Sequence, residues 1–206
     1  MAKVFISDIS SFILPDEKSG IFLSFPGYRK DKILSLRDEE KKKQSFGAGL
    51  LLRYALRAYG HSDADVYLGD KGKPLCQGIS FSLSHSYDKV VCAIGEIDVG
   101  CDIEKIRKAP RSGMHRFFTE EERAFLTVAE DWDKAFFSLW TKKESYVKMT
   151  GEGLIKTLTD FSVLDTAERF KVKQWEKDGY ILSVCSDENI EDAVNIVPME
   201  ELLQSN

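Results

Sequence analysis

The sequence predicts an α+β protein made of two lobes. Helical segments are followed by short strands twice along the 206 residues, once on each side of residue 100, and such a segregated order is typical of α+β folds. We therefore expect an N-terminal lobe over residues 1–99 and a C-terminal lobe over 100–206, each a small antiparallel sheet packed with helices. No Pro-rich or low-complexity linker separates the two, so they should pack closely.

The elements of the first half follow from local patterns. A helical segment covers residues 28–59, charged at first and then apolar, and Gly60 fits its end. The glycines and proline of GDKGKP, residues 69–74, predict a turn. The strands predicted for this half are 2–9, 65–68, ISFSLSH and DKVVCAIGEI.

The second half predicts two helices and several strands. Thr119 and Glu122 have the spacing of a capping box, which starts a helix over 119–130. A longer helix is expected over 133–149, and the tail ELLQSN should fray. The strands predicted for this half are DVGCDIE, FSVL, RFKVKQW, YILSVC and AVNIV.

Composition excludes several classes of protein. A formal net charge of -5 argues against wholesale nucleic-acid binding. The N-terminus lacks the apolar segment of a signal peptide, and no run of about 18 apolar residues predicts a membrane span, so we expect a cytoplasmic protein. Without CxxC spacing, neither a zinc site nor a disulfide framework is expected. The cysteines, which should be free and mostly buried, are Cys76, Cys92, Cys101 and Cys185.

Two acids lie in the apolar run VGCDIE. On a strand, Asp102 and Glu104 project from one face, while Cys101 and Ile103 point to the other. Two adjacent carboxylates repel each other, and a divalent cation removes the conflict. Oxygen ligands favour Mg²⁺, which is held by a few carboxylates together with substrate phosphates and water. The alternative is a strand with two solvated acids on its polar face.

Trp140, Glu144 and Lys148 are spaced four residues apart and share one stripe of the second long helix. They are either an aromatic anchor followed by a surface Glu–Lys pair, or a third metal ligand (Glu144) with a phosphate-binding lysine one turn later. Lys142 and Lys143 are expected to be solvated.

Hydroxyls and an imidazole lie at the end of the strand FSLSHS. No G-x-S-x-G context supports a nucleophilic serine, so contact of Ser84 and His85 with a phosphate fits better. In the turn before this strand, Lys73 and the backbone amides are a further candidate for binding an anion.

Together these segments resemble the 4'-phosphopantetheinyl transferases of the surfactin-synthetase-activating (Sfp) type. The matching blocks occur in the family's order and spacing over roughly residues 70–155. They are GKP at 72–74, F-x-x-SHS at 81–86, G-x-D-x-E at 100–104, FFTEEE at 117–122 and W-x-x-KES-x-x-K-x-x-G-x-GL at 140–154. Ser82 departs from the asparagine that is frequent there in the family, and we expect little effect.

The resemblance implies two similar lobes in a pseudo-twofold arrangement, with coenzyme A in the cleft between them. It implies transfer of the phosphopantetheine arm to a serine of an apo acyl or peptidyl carrier protein, with release of adenosine 3',5'-bisphosphate. It also implies a monomer. The proton of the carrier serine would be taken either by Glu144 or by a water on the metal.

The resemblance also implies roles for individual residues. Asp102, Glu104 and Glu144 would hold Mg²⁺, and Lys148 would contact the pyrophosphate of coenzyme A. The turn at Gly72 would lie near the adenine. The residues implied to contact the phosphates, chiefly the 3'-phosphate, are Lys73, Ser84, His85 and, by a looser match, Arg29, Lys32 and Ser45. The alternative for Arg29 and Lys32 is a solvated helix face.

A basic segment follows the two acids directly. Residues 105–119 contain no acidic residue, within a chain of net charge -5. The segment is either a solvated basic loop or a docking site for an acidic carrier protein, where attraction would act mainly on the encounter rate. The candidate docking residues are Lys105, Arg107, Arg111 and Arg116.

Two other functions remain as alternatives. A non-catalytic coenzyme A or nucleotide-binding module would bind the ligand without modifying a carrier, but binding alone would not need three acids. A metal-dependent phosphodiesterase usually needs two metal ions and more ligands than three, and the three histidines at 61, 85 and 115 are too scattered to supply them.

Overall fold

Helices and small, mainly antiparallel sheets make up the computed structural model, in agreement with the α+β prediction. The structure describes residues 1–69, 73–112, 114–151, 158–164 and 170–204. Within these ranges, no helix combines the length and the apolar character needed to cross a bilayer. The α-helices are α1 (Gly20–Leu23), α2 (Gly27–Ser35), α3 (Glu39–Ala58), α4 (Glu120–Val128), α5 (Trp132–Thr150) and α6 (Met199–Gln204). The strands are β1 (Lys3–Asp8), β2 (Val66–Leu68), β3 (Pro74–Cys76), β4 (Ser80–Ser86), β5 (Lys89–Gly95), β6 (Val99–Lys105), β7 (Lys171–Lys177), β8 (Tyr180–Ser186) and β9 (Asn195–Ile196).

Three strands of the first half and β9 from the second half form a sheet in the order β4-β5-β1-β9. This sheet is antiparallel except for the short β1–β9 pair. Helix α3 packs on one face of this sheet, and its Phe46 is fully buried against the rings of Phe12, Phe22 and Phe25. Gly47 permits this packing, because a Cβ atom there would lie 2.9 Å from Cγ2 of Ile9.

The helical segment predicted over 28–59 is confirmed as helical, and the chain forms it as two helices. Helix α2 ends at Ser35, and Leu36 is extended. Asp38 then caps α3 by accepting a hydrogen bond from the N–H of Lys41 at 3.0 Å. A short acidic side chain at this point satisfies an otherwise free N–H and so favours a new helix start over a continuous helix.

The second half forms a sheet in the order β6-β8-β7, and helix α5 packs on it. Asp178 and Gly179 join β7 to β8 with φ angles of 53° and 76°, as a two-residue turn with two positive φ values requires. The predicted capping box of α4 is confirmed: Thr119 accepts from the N–H of Glu122, whose carboxylate accepts from the N–H of Thr119. Helix α5 ends at Gly151 in the left-handed conformation.

The two sheets are joined by serine side chains rather than by backbone pairing. Every second residue of β4 is a serine, and the hydroxyl oxygen of each accepts an N–H from β6 nineteen residues further along. The four pairs, with their N···O distances, are Ser80–Val99 (3.2 Å), Ser82–Cys101 (3.0 Å), Ser84–Ile103 (3.3 Å) and Ser86–Lys105 (3.2 Å). We call this arrangement the hydroxyl ladder. It satisfies the edge of β6 that does not pair with β8.

Apolar side chains fill the space between the inner faces of the two sheets. Val4, Val91, Cys101, Ile103 and Val184 belong to this core. The prediction that Cys101 and Ile103 point into the core is therefore confirmed. All four cysteines of the chain are buried free thiols.

Two expectations for the C-terminal region are wrong. Residues 161–164 (FSVL) form no strand; Phe161 and Val163 instead pack into the core around α5. The tail does not simply fray, because residues 199–204 form α6 and Leu202 is buried against the first half. Strand β9 likewise pairs with β1, so the end of the chain returns to the N-terminal sheet.

Replacing Ser82 tests the hydroxyl ladder as a stabilising element. Ser82→Ala leaves the N–H of Cys101 without its acceptor in a buried position, which should lower the free energy of unfolding by about 1–3 kcal/mol. Urea denaturation measures this loss. Ser10→Ala, at an exposed serine, is the control and should change little; an equal effect in both variants would contradict the role of the ladder.

Candidate active site

Gly100 determines how closely strand β6 approaches helix α5. A Cβ atom on Gly100 would overlap the carbonyl oxygen of Ser145 and the amide nitrogen of Met149. Any larger residue would therefore force the strand and the helix apart. The close approach brings the acids of β6 beside Glu144 and Lys148 of α5.

Asp102 lies at the centre of this contact and is only 5% exposed. Its Oδ1 accepts a hydrogen bond from the hydroxyl of Ser84 at 2.8 Å and an ion-pair contact from Nζ of Lys148 at 2.7 Å. Its other oxygen, Oδ2, is buried and has no hydrogen-bond partner among the described residues. A buried carboxylate oxygen without a partner is costly, so this atom is a candidate ligand for a cation.

Glu104 is half-buried on the same face of β6. Its Oε2 accepts hydrogen bonds from the hydroxyl of Ser86 at 3.0 Å and from Nη1 of Arg107 at 2.7 Å. The prediction that Asp102 and Glu104 share one face is confirmed by their common contact with the serines of β4. Arg107 is an unexpected partner, since it lies in the segment predicted to dock a carrier.

Glu144 completes a group of three acids. Burial raises the pKa of its carboxyl, the negative charges of Asp102 and Glu104 raise it further, and the ammonium of Lys148 opposes them. Asp102 and Glu104 thus each disfavour the charged form of Glu144. Helix α5 packs on strand β6, and this contact brings Glu144 of the helix near Asp102 and Glu104 of the strand.

Lys148 connects the helix to the strand instead of forming a surface pair with Glu144. Burial opposes its charge, but the Asp102 carboxylate and other nearby acids outweigh that effect and raise its pKa. Its Nζ also donates to the hydroxyl of Ser84 at 3.1 Å. Trp140, by contrast, is the predicted aromatic anchor, because it packs against Phe117 and Phe136.

The predicted Mg²⁺ site does not take the form of a closed ligand cluster. Within the described part of the chain, no three His, Cys, Asp or Glu side chains are grouped closely enough to hold a metal ion. The ammonium of Lys148 lies against Asp102 instead. The donor set is nevertheless one of oxygens only, with an unpartnered Oδ2 on Asp102 and mutual repulsion that raises the pKa of Glu144, which is the chemistry that a hard divalent cation suits.

A second group of candidate residues, Arg29, Lys32 and Ser45, lies in the first half of the chain. Arg29 is 3% exposed and Ser45 is equally buried, yet Nη2 of Arg29 and Oγ of Ser45 lack hydrogen-bond partners among the described residues. Arg29 is therefore not part of a solvated helix face. Desolvation and then Arg29 lower the pKa of the more exposed Lys32. This arrangement is suited to an anion.

The imidazole of His85 is influenced by charges from both groups, Lys148 beside the acids and Lys32 beside Arg29. Desolvation by the surrounding protein lowers the pKa of its imidazole, and the charges of Lys148 and Lys32 lower it further. The charges of Lys148, which pairs with Asp102, and of Lys32 in α2 therefore both act on the imidazole. An anion bound between them would favour the protonated imidazole.

The turn before β4 is only partly described. Nζ of Lys73 donates to the backbone carbonyl of Lys148 at 3.2 Å, near the end of α5. This places Lys73 beside the same helix that carries Glu144 and Lys148. Gly72, which was implied to lie near the adenine, falls outside the described residues.

The basic segment after β6 is more than a solvated loop. The ammonium of Lys105 lies over the ring of Tyr87 at 4.9 Å, and the guanidinium of Arg111 lies over that of Trp132 at 4.2 Å. Arg107 packs over Phe137 while it bonds to Glu104. Arg116 is exposed. Aromatic contacts therefore hold part of the segment in place next to the acids.

Two side chains in this region have structural roles that were not predicted from the sequence. Lys143 is not solvated: it is fully buried, pairs with Glu122 at 2.8 Å and donates to the carbonyls of Leu158 and Phe161. No local pattern distinguishes it from its neighbour Lys142. Ser86 was missed as the partner of Glu104, although the shared two-residue spacing of Ser84–Ser86 and Asp102–Glu104 is a signal that could have revealed it.

Comparisons with known proteins agree on one family. A family model described as the 4'-phosphopantetheinyl transferase superfamily matches residues 98–196. The 4'-phosphopantetheinyl transferase Sfp of Bacillus subtilis is 29% identical over 214 residues, which cover 92% of this chain and 95% of that protein. Another B. subtilis 4'-phosphopantetheinyl transferase is 30% identical over 186 residues, or 80% and 83% of the two chains. The transferase psf-1 of Bacillus pumilus is 40% identical over 96 residues, or 44% and 41%.

Gly100→Ala tests the close contact of β6 with α5. The added methyl group overlaps the helix backbone, so the variant should lose about 1–3 kcal/mol of stability or more, seen as a lower Tm in a thermal melt. Gly27→Ala is the control, because a Cβ atom at Gly27 meets nothing within 4 Å. Equal melting temperatures for the two variants would show that the contact is not as tight as the geometry indicates.

Proposed function

We infer the chemistry of this site from one premise: the chain belongs to the 4'-phosphopantetheinyl transferase superfamily. It is an Sfp-type enzyme that transfers the 4'-phosphopantetheine arm of coenzyme A to a serine of an apo carrier protein and releases adenosine 3',5'-bisphosphate. The alternative of a non-catalytic coenzyme A-binding module is not favoured, because the relatives over most of the chain are transferases.

The observation that supports the placement of coenzyme A is that buried Nη2 of Arg29 and Oγ of Ser45 have no hydrogen-bond partner among the described residues. Coenzyme A carries two separated anionic groups, a pyrophosphate and a 3'-phosphate. We assign the pyrophosphate to Lys148, beside the acids. The residues assigned to the phosphates, chiefly the 3'-phosphate, are Arg29, Lys32, Ser45, Lys73 and His85. The unpartnered atoms of Arg29 and Ser45 support this assignment, and the turn at Gly72 is assigned to the adenine. The resemblance also implied Ser84, but its hydroxyl donates to Asp102 and accepts from Ile103 and Lys148, so we assign it to the acids instead.

The three acids are proposed to hold Mg²⁺. Asp102, Glu104 and Glu144 supply oxygens only, and the buried Oδ2 of Asp102 needs a partner. When bound, Mg²⁺ would neutralise charge on the pyrophosphate and on the leaving bisphosphate. Lys148 would then be free to exchange its contact with Asp102 for one with a phosphate oxygen.

Glu144 is proposed to be the general base. As Oγ of the carrier serine bonds to the β-phosphorus, its proton passes to the Glu144 carboxylate. The P–O bond to the adenosine bisphosphate breaks, and the bisphosphate leaves with the electron pair. Asp102 and Lys148 keep the reacting groups in place by charge and hydrogen bonding.

The overall arrangement is proposed to follow the family. Residues 1–99 and 100–206 would form two lobes related by a pseudo-twofold axis, with coenzyme A in the cleft between them. Helix α3 packed on the first sheet and helix α5 packed on the second support this view. We further propose that the enzyme is a cytoplasmic monomer. An acidic carrier protein would dock on the basic segment through Lys105, Arg107, Arg111 and Arg116.

The central experiment weighs a carrier protein before and after reaction. Incubation with coenzyme A, Mg²⁺ and an apo carrier should add one phosphopantetheine arm, seen by mass spectrometry, and EDTA should prevent it. Glu144→Gln should lower kcat about 10²–10⁴-fold, since it removes a general base. It should not lower Tm, because burial and two nearby acids disfavour the charge that it removes. Glu121→Gln, at an exposed glutamate of α4, is the control. Near-normal kcat in Glu144→Gln would exclude its role as the base.

Dephospho-coenzyme A, which lacks the 3'-phosphate, tests the anion group. Arg29→Met should raise KM for coenzyme A about tenfold to a hundredfold, because a hydrogen bond to a charged group contributes about 1.5–3 kcal/mol. KM for dephospho-coenzyme A should hardly change. Arg37→Met, at an exposed arginine, is the control. If Arg29→Met weakened both substrates equally, Arg29 would not contact the 3'-phosphate.

A further inference from the structure

We propose that Ser84 and Ser86 are positioning residues that orient the acids of β6 toward a divalent cation. The two serines and the two acids have the same two-residue spacing, and each serine bonds to the acid eighteen residues further along. The hydroxyl of Ser84 donates to Asp102 at 2.8 Å, and that of Ser86 donates to Glu104 at 3.0 Å. The proposal rests on the proposed function, which makes these acids metal ligands.

The hydroxyl ladder fixes the direction of each donation. The oxygen of Ser86 accepts the N–H of Lys105 at 3.2 Å, and the oxygen of Ser84 accepts that of Ile103 at 3.3 Å. A hydroxyl has one proton and two lone pairs. With the oxygen held by the strand, the proton goes to the neighbouring carboxylate, which accepts hydrogen bonds only.

Each acid is thereby held by one oxygen and left open at the other. On Asp102, Oδ1 carries Ser84 and Lys148, whereas Oδ2 has no partner among the described residues. On Glu104, Oε2 carries Ser86 and Arg107, and none of the described residues hydrogen-bonds to Oε1. In both acids, therefore, one oxygen takes up the hydrogen bonds and the other remains as the candidate ligand for a cation.

The remaining two rungs of the hydroxyl ladder provide a natural comparison. Ser80 and Ser82 accept N–H groups from Val99 and Cys101 in the same way, but they donate to neither acid. A purely structural role would therefore be shared by all four serines, while orientation of the acids would belong to Ser84 and Ser86 alone. Partners that orient ligating carboxylates commonly change metal affinity about 10–100-fold when removed.

The experiment measures Mn²⁺ binding to the full chain without coenzyme A, by electron paramagnetic resonance of the free ion. Ser86→Ala should raise the Kd for Mn²⁺ about 10–100-fold and raise KM for Mg²⁺ in the transfer reaction. Ser80→Ala should lose comparable stability, judged by Tm, with an unchanged Kd. Ser86→Thr, which retains the hydroxyl, should restore the Kd. Equal Kd values for Ser86→Ala and the unmodified chain would overturn the proposal.

The outcomes separate this proposal from the proposed function. A chain that transfers the phosphopantetheine arm but neither binds Mn²⁺ nor needs Mg²⁺ would overturn the positioning role and leave the transferase activity standing. A chain that binds Mn²⁺ more weakly after Ser86→Ala, but modifies no carrier, would support the positioning role and contradict the proposed reaction. Equal weakening by Ser80→Ala would reduce Ser86 to a structural residue and overturn the proposal.

Discussion

The hydroxyl ladder between β4 and β6 is the interaction on which the rest of the structure depends. Strand β6 pairs with β8 along one edge, and serine oxygens take the place of a second backbone partner along the other. Without them, N–H groups beside the central core would lose their acceptors, at a cost of about 1–3 kcal/mol each. The ladder therefore joins the two sheets and fixes the strand that carries Asp102 and Glu104.

Around this junction some charges are only partly compensated. Asp102 pairs with Lys148 and Glu104 with Arg107, yet both acids still raise the pKa of Glu144, after burial, which is the largest cause. Arg29 lowers the pKa of Lys32, and Nη2 of Arg29 has no hydrogen-bond partner among the described residues. Such arrangements lower stability until a ligand of opposite charge arrives. Away from the site, the buried charges of Lys143 and Glu122 pair with each other, and their atoms also satisfy surrounding backbone groups. A substrate with two anionic groups and a metal cation would relieve both sets of repulsion.

The sequence predicted whatever depends on local periodicity or on single capping residues. The β6 strand, the capping box of Thr119 and Glu122, and the common face of Asp102 and Glu104 all belong to this kind. Contacts between segments that are distant in the sequence could not be predicted from local patterns. Lys143 looks like any solvated lysine until the loop carbonyls reach it, and FSVL has strand-forming residues but packs as irregular backbone. The break at Asp38 was visible in principle, but a continuous charged helix fitted the same residues.

The order of residues along β6 would also let the proposed site combine chemistry with docking. The acids occupy the end of the strand, and the basic segment starts at the next residue, so the segment leaves the sheet beside the proposed metal ligands. Arg107 takes part in both, because it bonds to Glu104 and packs over Phe137. An acidic carrier drawn to this segment would arrive within reach of Glu144. Chain connectivity, rather than a separate binding domain, would thus bring the acceptor serine to the phosphate.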